Sequence, residues 1–225
     1  MDTLIYPDLF NGHAKAFFTC KSLGADRENI SKILSIKKEN VYLPVQKHTD
    51  KVMVLYSDME PKIADAVVTQ RKGVLIGVQV ADCVPILLLD RKRFVIGAVH
   101  AGWRGTASRI IKNAVKLMIE RFKSFPEDII IALGPSIGGK CYDVGREVKD
   151  AIYSVMGEGK YYMPVDGKYY VDLPAANVLQ ALSMGIPEEN IWISNICSHC
   201  NPQDFHSYRY HREYSGRQGG FIGVF

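Results

Sequence analysis

The sequence predicts an α+β layered sandwich of mixed sheets, folded as a single domain over residues 1–225. Three observations predict it. Short aliphatic runs alternate with amphipathic segments; the alternation lacks a regular βαβ rhythm; and no repeat, low-complexity stretch or Pro/Gly/Ser linker divides the chain.

The elements follow in order. Asn40–Val45 and Lys51–Tyr56 read as short strands on either side of His48. Val74–Val80, Val84–Leu89 and Phe94–Val99 are apolar runs of the kind found in strands covered on both faces. Pro85 inside the second run points to an irregular or edge strand. After Gly102–Thr106 the period changes. Ile110, Ala114, Met118 and Phe122 recur at i+4 and mark an amphipathic helix, with Thr106 as its candidate N-cap. Asp128–Leu133 is again a strand, followed by the turn-rich stretch Gly134–Gly139. Val144–Met156 and Pro174–Met184 read as helices, the second with Pro at its start. Ile191–Cys197 is a further strand. Ser198–Gly220 is polar, aromatic and Gly-containing, and reads as a covering loop.

Composition narrows the function. Hydrophobic residues make up 47% and charged residues 23%, enough apolar material for a sizeable core. The net charge of +4 is scattered, with no run of five like charges, so it implies a mild preference for anionic ligands and no nucleic-acid footprint. The N-terminal residues lack a signal-peptide pattern, and Gln79, Asp82 and Pro85 interrupt the longest apolar run, so no membrane span is expected. Five dispersed cysteines do not form a disulfide framework. A reducing cytoplasm is expected, with any special Cys catalytic or metal-bound. Nothing in the pattern separates a monomer from a small homo-oligomer.

Three motifs carry chemistry. In the run from Val99 to Thr106, His100 ends an apolar strand, two glycines permit close backbone approach, and a helix begins. A helix N-terminus attracts anions, and the Arg104 guanidinium adds a planar fork for phosphate or carboxylate. The same run also describes a tight strand-to-helix turn with a satisfied histidine. In Ala81–Pro85, Cys83 alone is the small hydrophobe that buried cysteines usually are, but the adjoining Asp82 is a buried carboxylate that requires a partner. Asp82 is therefore a candidate to orient a histidine or move a proton. His48 sits in a polar island between two strands, where a lone histidine is more often exposed than functional. Together, His48, Cys83 and His100 form a ligand set that suits zinc with an open fourth position, and suits copper as well. A rival metal signal is Cys197 and Cys200 with His206 and His211, but the spacing is too short for a zinc finger. In the same tail, Tyr208, Arg209 and Arg217 are candidates to hold a purine or sugar by stacking and anion contacts, or are plain surface residues.

In order, QKHTDKV, ADAVVT, ADCVPILLLD, GAVHAGWRGT, GPSIGGKCYDVG, FHSYR and SGR resemble the YfiH/laccase-domain family, once called polyphenol oxidases, from Phe17 to the end of the chain. The resemblance implies an α/β/β/α sandwich and a purine nucleoside phosphorylase. Its implied substrates are phosphate with adenosine, inosine, guanosine or methylthioadenosine, and adenosine deamination is implied beside phosphorolysis. It also implies a zinc site on His48, Cys83 and His100, with copper as the alternative ion. Two departures stand out: Lys47 and Thr49 replace the family's apolar residue and Gly around the first His, and Val80 stands where the family often has Thr.

The expected catalytic residues are thus Cys83, His100, Asp82 and Arg104, and the expected substrate contacts Arg104, Thr106, Tyr208, Arg209 and Arg217. For deamination the chemistry expected is attack of a metal-activated water on C6 of adenine. For phosphorolysis, Arg104 and the helix beginning near Thr106 hold phosphate against C1′. Three rival readings remain: a copper oxidase of phenols, a metal-free Cys–His hydrolase or amidase with Cys83 as nucleophile and His100 as base, and a nucleoside-binding module without turnover.

Overall fold

Two sheets share one apolar filling in the computed structural model, which describes residues 4–10 and 12–225. The strands are β1 (Leu4–Ile5), β2 (Lys15–Thr19), β3 (Val41–Tyr42), β4 (Val52–Val54), β5 (Ala66–Thr69), β6 (Val74–Val80) and β7 (Val84–Asp90). They continue as β8 (Val95–Ala101), β9 (Ile129–Leu133), β10 (Asp143–Val144), β11 (Tyr162–Val165), β12 (Lys168–Val171), β13 (Ile191–Ile193) and β14 (Gln218–Val224). The helices are α1 (Arg27–Leu34), α2 (Trp103–Ala107), α3 (Ile110–Phe122), α4 (Arg146–Met156), α5 (Leu173–Leu182) and α6 (Tyr208–His211).

A five-stranded sheet runs β1-β2-β14-β6-β3 and a six-stranded sheet β13-β9-β7-β8-β5-β4; both mix parallel and antiparallel pairs. A small antiparallel sheet, β10-β12-β11, lies apart from them. The pleat alternation explains the layering. Leu87, Leu89, Ile96 and Ala98 of the six-stranded sheet face Phe18, Ile76, Val78 and Ile222 of the other. The alternate residues Ile86, Leu88, Val95 and Val99 turn toward α3, α4 and α5. On the outer face of the five-stranded sheet, Phe17, Val41, Leu75 and Phe221 pack with Ile30 of α1. The result is the expected α/β/β/α sandwich, and the fully buried aliphatic side chains at its centre each stabilise it by about 1.5–3 kcal/mol.

Several expectations are corrected. Pro85 does not mark an edge: β7 lies between β8 and β9. Pro85 pairs with His100, but the ladder to β9 begins only at Ile86, so the missing N–H falls beyond that ladder's end. The helix expected from Thr106 is two: α2 starts at Trp103 after Gly102, and α3 follows a left-handed Arg109 (φ 60°). Val144 is held by Tyr169 across β10 and β12, which delays α4 to Arg146. The strand at Ile191 ends at Ile193, ahead of a left-handed Asn195. The tail expected to be loop as far as Gly220 contains α6 and the first residues of β14, an interior strand. Among the described residues, no helix is long and apolar enough to cross a membrane.

Candidate functional site

Asp65 organises the site. It is fully buried at the start of β5, where an unpartnered carboxylate would be costly, and it collects five donors. The backbone N–H groups of Lys47, His48 and Thr49 reach it at 3.2, 3.0 and 2.7 Å, and the Thr49 hydroxyl at 2.7 Å. The fifth is His100 Nδ1, at 2.8 Å. Burial works to raise the Asp65 pKa, but these donors and the His100 charge outweigh it and hold the carboxyl below the usual range. One side chain thereby shapes the loop around His48 and fixes the ring of His100.

His100 lies on the inter-sheet face of β8, in line with Ile96 and Ala98, and is 4% exposed. With Nδ1 committed to Asp65, its Nε2 is the nitrogen left for Cys83 or an ion. Cys83 sits just ahead of β7, and its Sγ lies 4.0 Å from His48 Nε2. The His48 and His100 rings meet edge to face, with centroids 4.8 Å apart. The donor atoms of His48, Cys83 and His100 all fall within 4.8 Å of one another. Tetrahedral zinc separates such donors by roughly 3.3–3.8 Å. Borderline N and S donors at nearly that spacing therefore fit a single ion, with His48, exposed and left-handed (φ 57°), free to close the gap.

Gly102 makes the approach possible: a Cβ there would stand 2.8 Å from Cys83 Sγ and 3.3 Å from the His48 ring. Burial by itself would raise the Cys83 thiol, yet the His100 charge and hydrogen bonds from both histidines bring it down to about 6. Burial likewise opposes the His100 cation, but the Cys83 thiolate and Asp65 raise it to about 9. Both shifts run in the direction of a thiolate–imidazolium pair.

A cavity of about 830 Å³ opens over these residues, inside the roughly 300–1,000 Å³ range of small-molecule sites. Arg104, Arg209, Arg212 and Arg217 line it, with Trp103, Tyr142 and Tyr208. The Arg104 guanidinium stacks on the Trp103 ring at 4.2 Å. Arg209 is less free: it pairs with Asp143 and lies over Tyr142. Neither Arg104 nor Arg217 is ion-paired among the described residues, and Tyr208 is 54% exposed.

Two expected site residues take other partners, although Asp82 still lines the cavity. Asp82, held left-handed (φ 81°), does not reach His100; its oxygens accept from the Ser198 hydroxyl at 2.7 Å and the Arg209 backbone N–H at 2.6 Å. It anchors the arginine-bearing segment beside Cys83, and Asp65 orients the histidine instead. Thr106 is fully buried and takes a hydrogen bond from Asn177 at 2.9 Å, so it faces α5 rather than the cavity. Asp65, Tyr142 and Arg212 were not singled out from sequence; Asp65 carried the same signal as Asp82, a carboxylate within an apolar run. Cys197 and Cys200 come together with Cys141, not with His206 and His211. His211 instead contacts Lys21 and Ser207.

Comparison with known proteins identifies the family. Residues 19–225 match the family model described as multi-copper polyphenol oxidoreductase laccase. A purine nucleoside phosphorylase of Aquifex aeolicus is 40% identical over 167 residues, 74% of this chain and 75% of that protein. Adenosine deaminase RL5, from an unknown prokaryotic organism, is 35% identical over 205 residues, 85% of this chain and 77% of that one. The crystal structure of the Bacillus licheniformis hypothetical protein YfiH superposes with a TM-score of 0.94 at 28% identity, covering 100% of this chain and 97% of its own. With a family match over nearly its whole length and relatives at this identity, the chain belongs to the YfiH family of multi-copper polyphenol oxidoreductase laccase proteins.

Proposed function

We propose that the chain is a zinc-dependent purine nucleoside phosphorylase that also deaminates adenosine. The observation that carries this reading is the convergence of His48, Cys83 and His100 beneath a cavity lined by arginines and aromatic rings. The relatives' names support an enzyme acting on purines.

His48, Cys83 and His100 would hold the ion, which when bound supplies Lewis acidity toward a water or substrate oxygen. Asp65 keeps His100 in the ligating tautomer. Tyr208 and Tyr142 offer faces for the purine, and Arg104 and Arg217 present guanidinium groups without an ion pair among the described residues to phosphate. In phosphorolysis a phosphate oxygen bonds C1′ as the bond from C1′ to the base breaks, giving ribose 1-phosphate and free base. The arginines position that phosphate and offset its charge. In deamination, water replaces the C6 amino group and ammonia leaves. Zinc is favoured over copper because oxidation of phenols by multicopper chemistry calls for several ions, whereas among the described residues one His/Cys group faces this cavity.

The test is product analysis on adenosine with and without phosphate, using zinc-loaded protein. Adenine with ribose 1-phosphate, formed only with phosphate, supports phosphorolysis; inosine supports deamination. Phenol oxidation by copper-loaded protein alone would sink the reading. Because Cys83, His100 and Asp65 also line up as nucleophile, base and orienting carboxylate, a metal-free Cys–His hydrolase is the second reading. Under it, activity survives chelation.

A further inference from the structure

We propose that Cys141, Cys197 and Cys200 form a second metal site, separate from the cavity, for a thiophilic ion such as zinc. Cys141 closes the turn Gly139–Cys141 in the loop that follows β9, while Cys197 and Cys200 come from the loop that follows β13. Their three sulfurs lie within 4.8 Å of one another, with Cys141 and Cys200 at 3.3 Å. Sulfurs around tetrahedral zinc stand roughly 3.8 Å apart, so all three fit one ion after small side-chain rotations. A disulfide would use two of them and leave the third without a role. The Gly138 N–H points at Cys197 Sγ from 3.2 Å, the kind of backbone donor that supports a ligating thiolate. C-x-x-C is a recurrent zinc-ligand spacing; with Cys141 it supplies three ligands here, and the exposure of Cys200 leaves the fourth position to water.

The site's place in the fold gives it a task. Ser198, inside the C-x-x-C loop, donates to Asp82, and Asp82 in turn receives the backbone N–H of Arg209. Ser136 and Cys197 already form a single bridge between the same two loops. An ion on the three thiols would staple these loops together and hold the arginine-bearing wall in register behind Cys83.

The test uses the full chain with the cavity site disabled by His48→Ala, or by Cys83→Ser should that variant not accumulate. Purified under reducing conditions and loaded with cobalt(II), it should retain one equivalent of metal with sulfur-to-cobalt charge transfer from three thiolates. Cys200→Ser in that background should lower the band by about a third and weaken retention; Cys141→Ser should do the same. Zinc should raise the melting temperature of the His48→Ala protein but not that of the double variant. Failure of the His48→Ala and Cys83→Ser proteins to retain metal overturns the proposal. So does a Cys141–Cys200 disulfide in protein alkylated at lysis. Because both readouts come from protein without a working cavity site, they stand apart from any result on nucleosides.

Discussion

Asp65 and His100 are joined twice: side chain to side chain at 2.8 Å, and from the His100 backbone N–H to the Asp65 carbonyl, also at 2.8 Å. The second bond belongs to the ladder between β5 and β8, so the orienting carboxylate is positioned by the sheet itself rather than by a loop. Asp65→Asn keeps the shape but removes the charge that faces His100 and the Lys47–Thr49 amides. Metal affinity should fall by about 10–100-fold, read by competition with a chromophoric chelator. Unchanged affinity would show that the carboxylate does not orient the ligand.

The thiolate–imidazolium pair predicts an unusual alkylation profile in metal-stripped protein. A free cysteine reacts with iodoacetamide with a midpoint near its pKa of about 8.5. Cys83, brought down to about 6, should react faster as pH rises from 5 to 7 and then level off. The charged His100 is the largest influence opposing burial, so His100→Gln should move the midpoint upward. Peptide mass spectrometry distinguishes Cys83 from the other four cysteines.

Arg104 and Arg217 line the cavity without an ion pair among the described residues, and under the proposed function they hold phosphate. Replacing either with Ala removes a charge-assisted contact worth about 1.5–3 kcal/mol, or roughly 10–100-fold in KM for phosphate. Adenosine deamination, which uses no phosphate, should change far less. An equal loss in both reactions would place these arginines on the nucleoside instead.

Thr106 supplies the opposite case. Thr106→Val should leave KM for phosphate unchanged, because the hydroxyl serves Asn177. The one Asn177 N–H that loses its acceptor, the other still donating to the Leu173 carbonyl, should cost about 1–3 kcal/mol, lowering the melting temperature by about 2–4 °C per kcal/mol in a chain of this size. Calorimetry and steady-state kinetics on one preparation separate the two effects.

The strands at the centre of the six-stranded sheet were legible because burial on both faces leaves continuous apolar runs, as in Val84–Leu89. β14 was not. Gly219 and Gly220 read as loop, yet the fold needs them: a Cβ on Gly220 would stand 2.8 Å from the Phe18 ring. Within the site, residue type alone made His48, Cys83 and His100 a plausible ligand set, each with a bland alternative, and family resemblance fixed them as a triad. The rule that a buried carboxylate needs a partner selected Asp82 but could not name the partner, since Ser198 and Arg209 are more than a hundred positions away. The same distance hid Cys141 from Cys200, 59 residues along.

The pairing of β14 with β2, which sets Gly220 beside Phe18, also imposes a schedule on synthesis. A ribosome delivers the chain from its N-terminus, and every strand of the six-stranded sheet has emerged by Ile193. β2 and β6 must wait, each with an unpaired side, until residues 218–224 arrive to slide between them. Half of the sandwich can therefore assemble during translation, while the other half closes only after the arginine-bearing wall has been made. Until that closure, the exposed strand sides are the chain's most vulnerable surface for misassociation and the natural place for a chaperone to act.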